Sequence, residues 1–183
     1  MKLNESYAPA MATLVITAIG DDRAGLVDAL SGVIAQHQGN WDRSHMAELA
    51  GKFAGIVLVT IADSRVDAFT HDLDQLGSKG LLHITAELAV KPSNDAESLV
   101  RVRLNLVGQD HPGIVHEVSH VLAANHVSID ELETETVPAP QGGFLFKATA
   151  VLELPPNLGA DALHDALEEV AVDLMVDLHL EHD

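Results

Sequence analysis

The chain has 183 residues, 47% of them hydrophobic and only 3% aromatic, enough to pack one or two small cores built mostly from Val, Ile, Leu and Ala. Its 28 acidic and 10 basic residues leave a net charge of −18, which argues against a surface made to hold nucleic-acid phosphates or anionic lipid, since both need clustered Lys and Arg. The absence of cysteine removes disulfides, thiolate metal sites and a cysteine nucleophile, and with no bilayer-length apolar run and no signal-peptide pattern at the N-terminus, a soluble cytoplasmic protein is expected.

A first strand is expected over 13–19, with Val15 and Thr17 on an outer face apolar enough to be covered by something. The turn Gly20-Asp21-Asp22-Arg23-Ala24-Gly25 leads into a helix. Its apolar residues Leu26, Val27, Leu30, Val33 and Ile34 fall at i, i+1, i+4, i+7 and i+8, one stripe, and Gly39 stands near its end as a stop signal. Strands near 40–49 and 53–62 follow, joined at Gly51-Lys52. Asp63-Ser64 can cap a second helix that buries Val66, Phe69, Leu73 and Leu76, and a last strand alternates from Leu82 to Leu88.

After a polar, proline-bearing stretch over 91–98, expected to be a linker, the pattern starts again. Val100, Val102, Leu104 and Leu106 alternate with Arg101, Arg103 and Asn105, a strand with one buried and one wet face. The turn is now Gly108-Gln109-Asp110-His111-Pro112-Gly113, and the helix stripe is Ile114, Val115, Val118, Val121 and Leu122, with Asn125 as the stop. Gly20, Asp22, Gly25 and the five stripe positions all recur at an offset of 88 residues, so the chain contains a duplicated unit. Strands near 128–137 and 144–154 flank the longer turn at 138–143, Pro155-Pro156-Asn157 opens the next helix, and a final strand alternates from Leu174 to Leu180. Residues 1–91 carry 7 basic and 11 acidic side chains and residues 92–183 carry 3 and 17, so the copies present different surfaces.

Each copy therefore reads β-α-β-β-α-β. The expected fold is α+β, two tandem ferredoxin-like units, each a four-stranded antiparallel sheet with both helices on one face, over 1–90 and 99–183 with 91–98 between them. That leaves one sheet face and two sheet edges open, and pairing of sheets between copies or between chains would cover them, so a homo-oligomer is expected.

A first strand ending in Gly-x-Asp-x-(Pro/Ala)-Gly and running straight into an amphipathic helix resembles the ACT domain, over nearly the whole chain and in two copies. Two such units and nothing else resemble the glycine cleavage system transcriptional repressor family. The resemblance implies a regulatory module that binds a small amino acid, glycine first, often where two domains meet. It also implies control of transcription through a protein partner and no enzymatic activity or cofactor. The chemistry fits: a helix N-terminus beside Gly25 or Gly113 favours a carboxylate, and Asp22 or Asp110 could pair with an ammonium group. Arg23 and His111 occupy the same loops. An Asn at the start of strand two contacts the ligand in amino-acid-binding members; Asn40 stands there in copy one and Ser128 in copy two, so copy two is expected to bind more weakly. Two readings of Asp22 and Asp110 stay open, ligand partner or helix cap. Trp41 has two as well, core anchor or pocket wall. A ligand-independent assembly module is the alternative function.

His116-Glu117-Val118-Ser119-His120 spells the H-E-x-x-H of zinc hydrolases. With Val118 at the centre of the apolar stripe, about 100° per residue turns His116 and His120 to the solvent side. Copy one has Asp28 and Gly32 in their places, and no third ligand is evident, so neither a metal site nor a hydrolase is expected. His164, His179 and His182 read as surface residues in an acidic C-terminal region.

Overall fold

Residues 10–78, 80–90 and 100–182 are described by the computed structural model, in two units, Met1–Lys91 and Pro92–Asp183. The expected linker at 91–98 lies outside the described residues. Unit 1 runs β1 (Met11–Asp21), α1 (Leu26–Gln36), β2 (Asn40–Leu49), β3 (Lys52–Ala62), α2 (Val66–Ser78) and β4 (His83–Leu88). Unit 2 runs β5 (Val100–Gln109), α3 (Ile114–Ala124), β6 (Ser128–Pro138), β7 (Phe144–Leu154), α4 (Ala160–Leu174) and β8 (Val176–His182). The sheets have the orders β2-β3-β1-β4 and β6-β7-β5-β8, with every neighbouring pair antiparallel. These are two ferredoxin-like units, as the alternation and helical stripes indicate.

Period-two alternation decides which residues enter the core. In β1, Leu14, Ile16 and Ala18 are buried, and register brings Val59, Val57 and Gly55 of β3 beside them. Leu26, Leu30 and Ile34 of α1 and Phe69 and Leu73 of α2 close over that face. Unit 2 repeats this with Val102, Leu104, Leu122, Leu152, Leu163 and Leu167. No polar side chain is buried among the described residues, so apolar burial, at about 1.5–3 kcal/mol per large side chain, is the main cohesive term. The buried stripe is narrower than expected. Val27 and Val115 are 45% and 46% exposed, because the helix axis sets them beside the contact face.

Several element ends fall elsewhere than expected. The residues that turn left-handed after α1 and α3 are Gln38 (φ 58°) and His126 (φ 57°), not Gly39 and Asn125. Gly39 is needed for space: a Cβ there would sit 3.1 Å from Ile34 Cγ2. Ala50 and Gly51, both at positive φ, make the two-residue hairpin turn, so Lys52 already belongs to β3. A single 3-10 turn at Asp63–Arg65 precedes α2, with no side-chain cap. Prolines 155 and 156 do not open α4, whose N-cap is Gly159. Leu174 ends α4, and β8 begins at Val176.

Each outer strand next to the hairpin carries one surplus residue. Trp41 pairs with Val59 and Arg43 with Leu58, leaving Asp42 as a β-bulge; Ile129 pairs with Leu152 and Glu131 with Val151, leaving Asp130. The bulge carboxylates are held on the helix-free side of their sheets. Asp42 accepts from Thr60 Oγ1 at 2.6 Å, and Asp130 lies 3.0 Å from Arg101 Nη2.

Candidate functional site

The two glycines of each motif loop answer to different physical demands. Gly20 and Gly108 lie where the chain entering the last strand crosses β1 or β5. A Cβ at Gly20 would stand 2.6 Å from the Leu81 carbonyl oxygen, and one at Gly108 would stand 2.4 Å from Val176 Cγ1 and 2.9 Å from the Met175 oxygen. Gly25 and Gly113 have open space around them but take φ of 94° and 105°, a left-handed conformation that favours glycine. They are the N-caps of α1 and α3. Their carbonyls accept the first helical hydrogen bonds, from Ala29 and Glu117 N–H.

No side chain caps either helix, so Asp22 and Asp110 are not helix caps. Their backbone N–H groups instead donate to the Gly51 and Phe144 carbonyls, both at 2.9 Å, fastening each loop to the neighbouring hairpin. The first-turn N–H groups and the helix dipole give each loop a positive tip. Asp28 and Glu117, in those same turns, offset part of it. Beside the first loop, Lys52 hydrogen-bonds Asp21 and holds that carboxyl below the usual aspartate range.

The loops are also tied to the chain where the second helix of their unit gives way to the last strand. Arg23 Nη2 donates to the Gly80 carbonyl at 3.3 Å. His111 places Nε2 at 3.0 Å from the Leu174 carbonyl and Nδ1 at 3.1 Å from that of Pro112. Two carbonyl acceptors suit the doubly protonated imidazolium, so the Leu174 carbonyl first, then that of Pro112, with the Asp110 charge assisting, raise the His111 pKa above the ordinary histidine value. His111 is thus engaged by the backbone at both ring nitrogens. The 88-residue offset sets Arg23 and His111 at the same motif position, and that correspondence was the available signal.

Within one unit, Asn40 does not approach Gly25. Asn40 pairs with Thr60, which pairs with Thr13 at the start of β1, while the Gly25 loop follows Asp21 at its end. Eight strand residues separate those levels, about 26 Å. Ser128, opposite Glu153 and so level with Arg101, is equally remote from Gly113. Asn40 is exposed and donates from Nδ2 to Asp42 Oδ1, supporting the bulge. Trp41, half-buried, packs against the unit-1 core, the anchor reading.

His116 and His120 are both exposed, as helix geometry requires, with rings 6.3 Å apart, while Val118 between them packs on the core. No cluster of three or more His, Asp or Glu side chains placed to hold a metal occurs among the described residues. A cleft between α3 and the unit-2 sheet, lined by residues such as Ile114, Val118, Ile129 and Phe146 with Ser119 as its one polar side chain, is too apolar to solvate a zwitterion. No helix among the described residues is long and apolar enough to cross a membrane.

Comparison with known proteins agrees with this architecture. The ACT domain family matches residues 12–87. The glycine cleavage system transcriptional repressor of Escherichia coli (strain K12) is 27% identical over 127 residues, 69% of this chain and 66% of that protein, just under two thirds of its length. UPF0237 protein MK1213 of Methanopyrus kandleri is 34% identical over 71 residues, 38% of this chain and 79% of that protein. A solved structure described as an unknown protein from Galdieria sulphuraria superimposes with a TM-score of 0.83 at 32% identity, over 95% of this chain and 99% of the other.

Proposed function

This chain belongs to the ACT-domain family, and we propose that it is a non-enzymatic regulatory protein that senses a small amino acid and acts on transcription through a protein partner. The observation that carries the reading is the pair of motif loops, each ending at a left-handed glycine that leaves a helix N-terminus without a side-chain cap. An amino acid would set its carboxylate against the first turn beside Gly25, with Asp22 of the same loop as the partner for its ammonium group, since Asp21 is already engaged by Lys52. The curated relative's role makes glycine the first candidate. Because Asn40 lies at the far end of the same unit, it would reach such a ligand only from a second chain, through the open edge of β2. In copy two, Ser128 replaces that amide, and the Gly113 loop would bind more weakly. Net charge of −18 supports output through a partner protein over direct contact with DNA.

Thermal unfolding with added glycine tests this. A ligand at 100 times its dissociation constant stabilises by about 2.7 kcal/mol. No shift with glycine or any other free amino acid at millimolar concentration would leave the ligand-independent assembly module, which the engagement of Asn40 by Asp42 favours.

A further inference from the structure

On the helix-free face of unit 1, the outward residues of β1 from 13 to 19 and of β3 from 54 to 60 carry no charge. Ile19 and Ile56 are 51% and 46% exposed there, a costly way to leave the middle of a sheet. Charge appears only on the two flanking strands. Strand register sets Arg43, Leu58, Val15 and Glu87 in one row across the sheet, with the cation at one edge and the anion at the other. Both charged residues are exposed, and neither forms an ion pair with a described residue.

We propose that this face docks a second copy of the chain, sheet against sheet, about a two-fold axis parallel to the strands. That operation reverses the strand order and keeps the level along each strand. Arg43 then meets the partner's Glu87, and Leu58 meets the partner's Val15. Each contact occurs twice, as a two-fold interface requires. Four strands about 4.8 Å apart and roughly 24 Å long offer about 500 Å² per copy, near 1,000 Å² in all, at the lower bound of specific interfaces, so the dimer is reversible.

The equivalent row of unit 2 reads Glu131, Val151, Arg103, Glu181. The same operation there would oppose Glu131 to Glu181 twice, and Val151, already buried in its own unit, offers no apolar surface to match Leu58. The row of unit 1 is self-complementary, whereas that of unit 2 would set acid against acid, so the dimer forms through unit 1. The interface uses no residue of the motif loops, so it is separate from the functional reading above and is tested without any amino acid.

Sedimentation of the full chain over a concentration series reads the dimer directly. Arg43→Glu and Glu87→Arg should each raise the dimer dissociation constant at least about tenfold, because like charges then face each other at both pairs. The double variant R43E/E87R should return it to within about threefold of wild type. Ile56→Lys should abolish association with the circular dichroism unchanged. A wild-type monomer at the highest soluble concentration overturns the proposal. So does a dimer indifferent to the single reversals, or one that the double reversal fails to restore.

Discussion

His111 Nε2 lies 3.0 Å from the carbonyl oxygen of Leu174, the last residue of α4, 63 positions along the chain. Gly80, whose carbonyl accepts from Arg23, has the corresponding place in unit 1: β1 and β5 pair with the strands that follow at matching levels, Ala18 with Ile84 and Leu106 with Leu178. Each copy thus fastens its motif loop, through a cationic donor, to the chain between the end of its second helix and its last strand. In unit 1 that donor is permanently charged; in unit 2 it titrates.

Unit 2 should therefore lose stability with rising pH. The folded pKa of His111 is raised, so its stabilising contribution is complete below the ordinary histidine value near 6.5 and disappears as pH climbs through the higher folded value. Imidazole resonances followed by NMR should place the His111 midpoint above the ordinary histidine value. Replacing His111 by Phe should flatten the pH dependence of unfolding in that window. A His111 midpoint at or below the ordinary value would refute the tie to Leu174.

The motif glycines should respond oppositely to the same substitutions. Gly108→Ala forces a Cβ onto Val176 and the Met175 carbonyl and should cost about 1–3 kcal/mol, with Gly108→Asn worse. Gly25→Ala meets no atom but strains the backbone by about 1–2 kcal/mol, and Gly25→Asn should recover part of this because Asn tolerates the left-handed region. Urea denaturation of the four variants reveals the crossover, and the same ranking at both sites would contradict it.

Leu30→Ala, at a fully buried position of α1, should cost about 2–5 kcal/mol, whereas Val27→Ala, one turn earlier and 45% exposed, should cost well under half of that. His116→Ala and His120→Ala should each move stability by less than about 0.5 kcal/mol. Equilibrium unfolding decides both comparisons; a large loss at either histidine would show that the pair has a structural role.

Asp42→Ala should destabilise unit 1 by about 1–3 kcal/mol, since it leaves Thr60 Oγ1 and Asn40 Nδ2 without their shared acceptor. Asn40→Ala should cost less, about 0.5–1.5 kcal/mol, with or without glycine present. If Asn40→Ala changes glycine affinity but not stability, Asn40 serves a ligand and not the bulge.

The repeat and the period-two alternation made both βαββαβ units legible, because apolar placement along a strand or helix is a local pattern. What escaped was long-range or arose from backbone geometry. Nothing near His111 announces a partner 63 residues away. Asn40 directly follows Gly39 and opens β2, yet α1 has by then carried the chain back to the end of the sheet opposite Gly25, and only strand register reveals that. Gln38 and His126 turn left-handed although glycine and asparagine stand beside them, because Gly39 is spent on the close approach of Ile34.

The bulges at Asp42 and Asp130 have an evolutionary consequence. A surplus residue acquired separately in each copy would have no reason to fall at positions 88 apart and to be aspartate both times. The single ancestral unit carried it before the gene doubled. Around it the side chains have since diverged: Trp41 answers to Ile129, Arg43 to Glu131 and Ser44 to Leu132. Loss of the extra residue would have turned the neighbouring stretch of strand inside out in a single step, whereas each side-chain change could be tried alone. In this stretch descent has preserved residue count more strictly than chemistry.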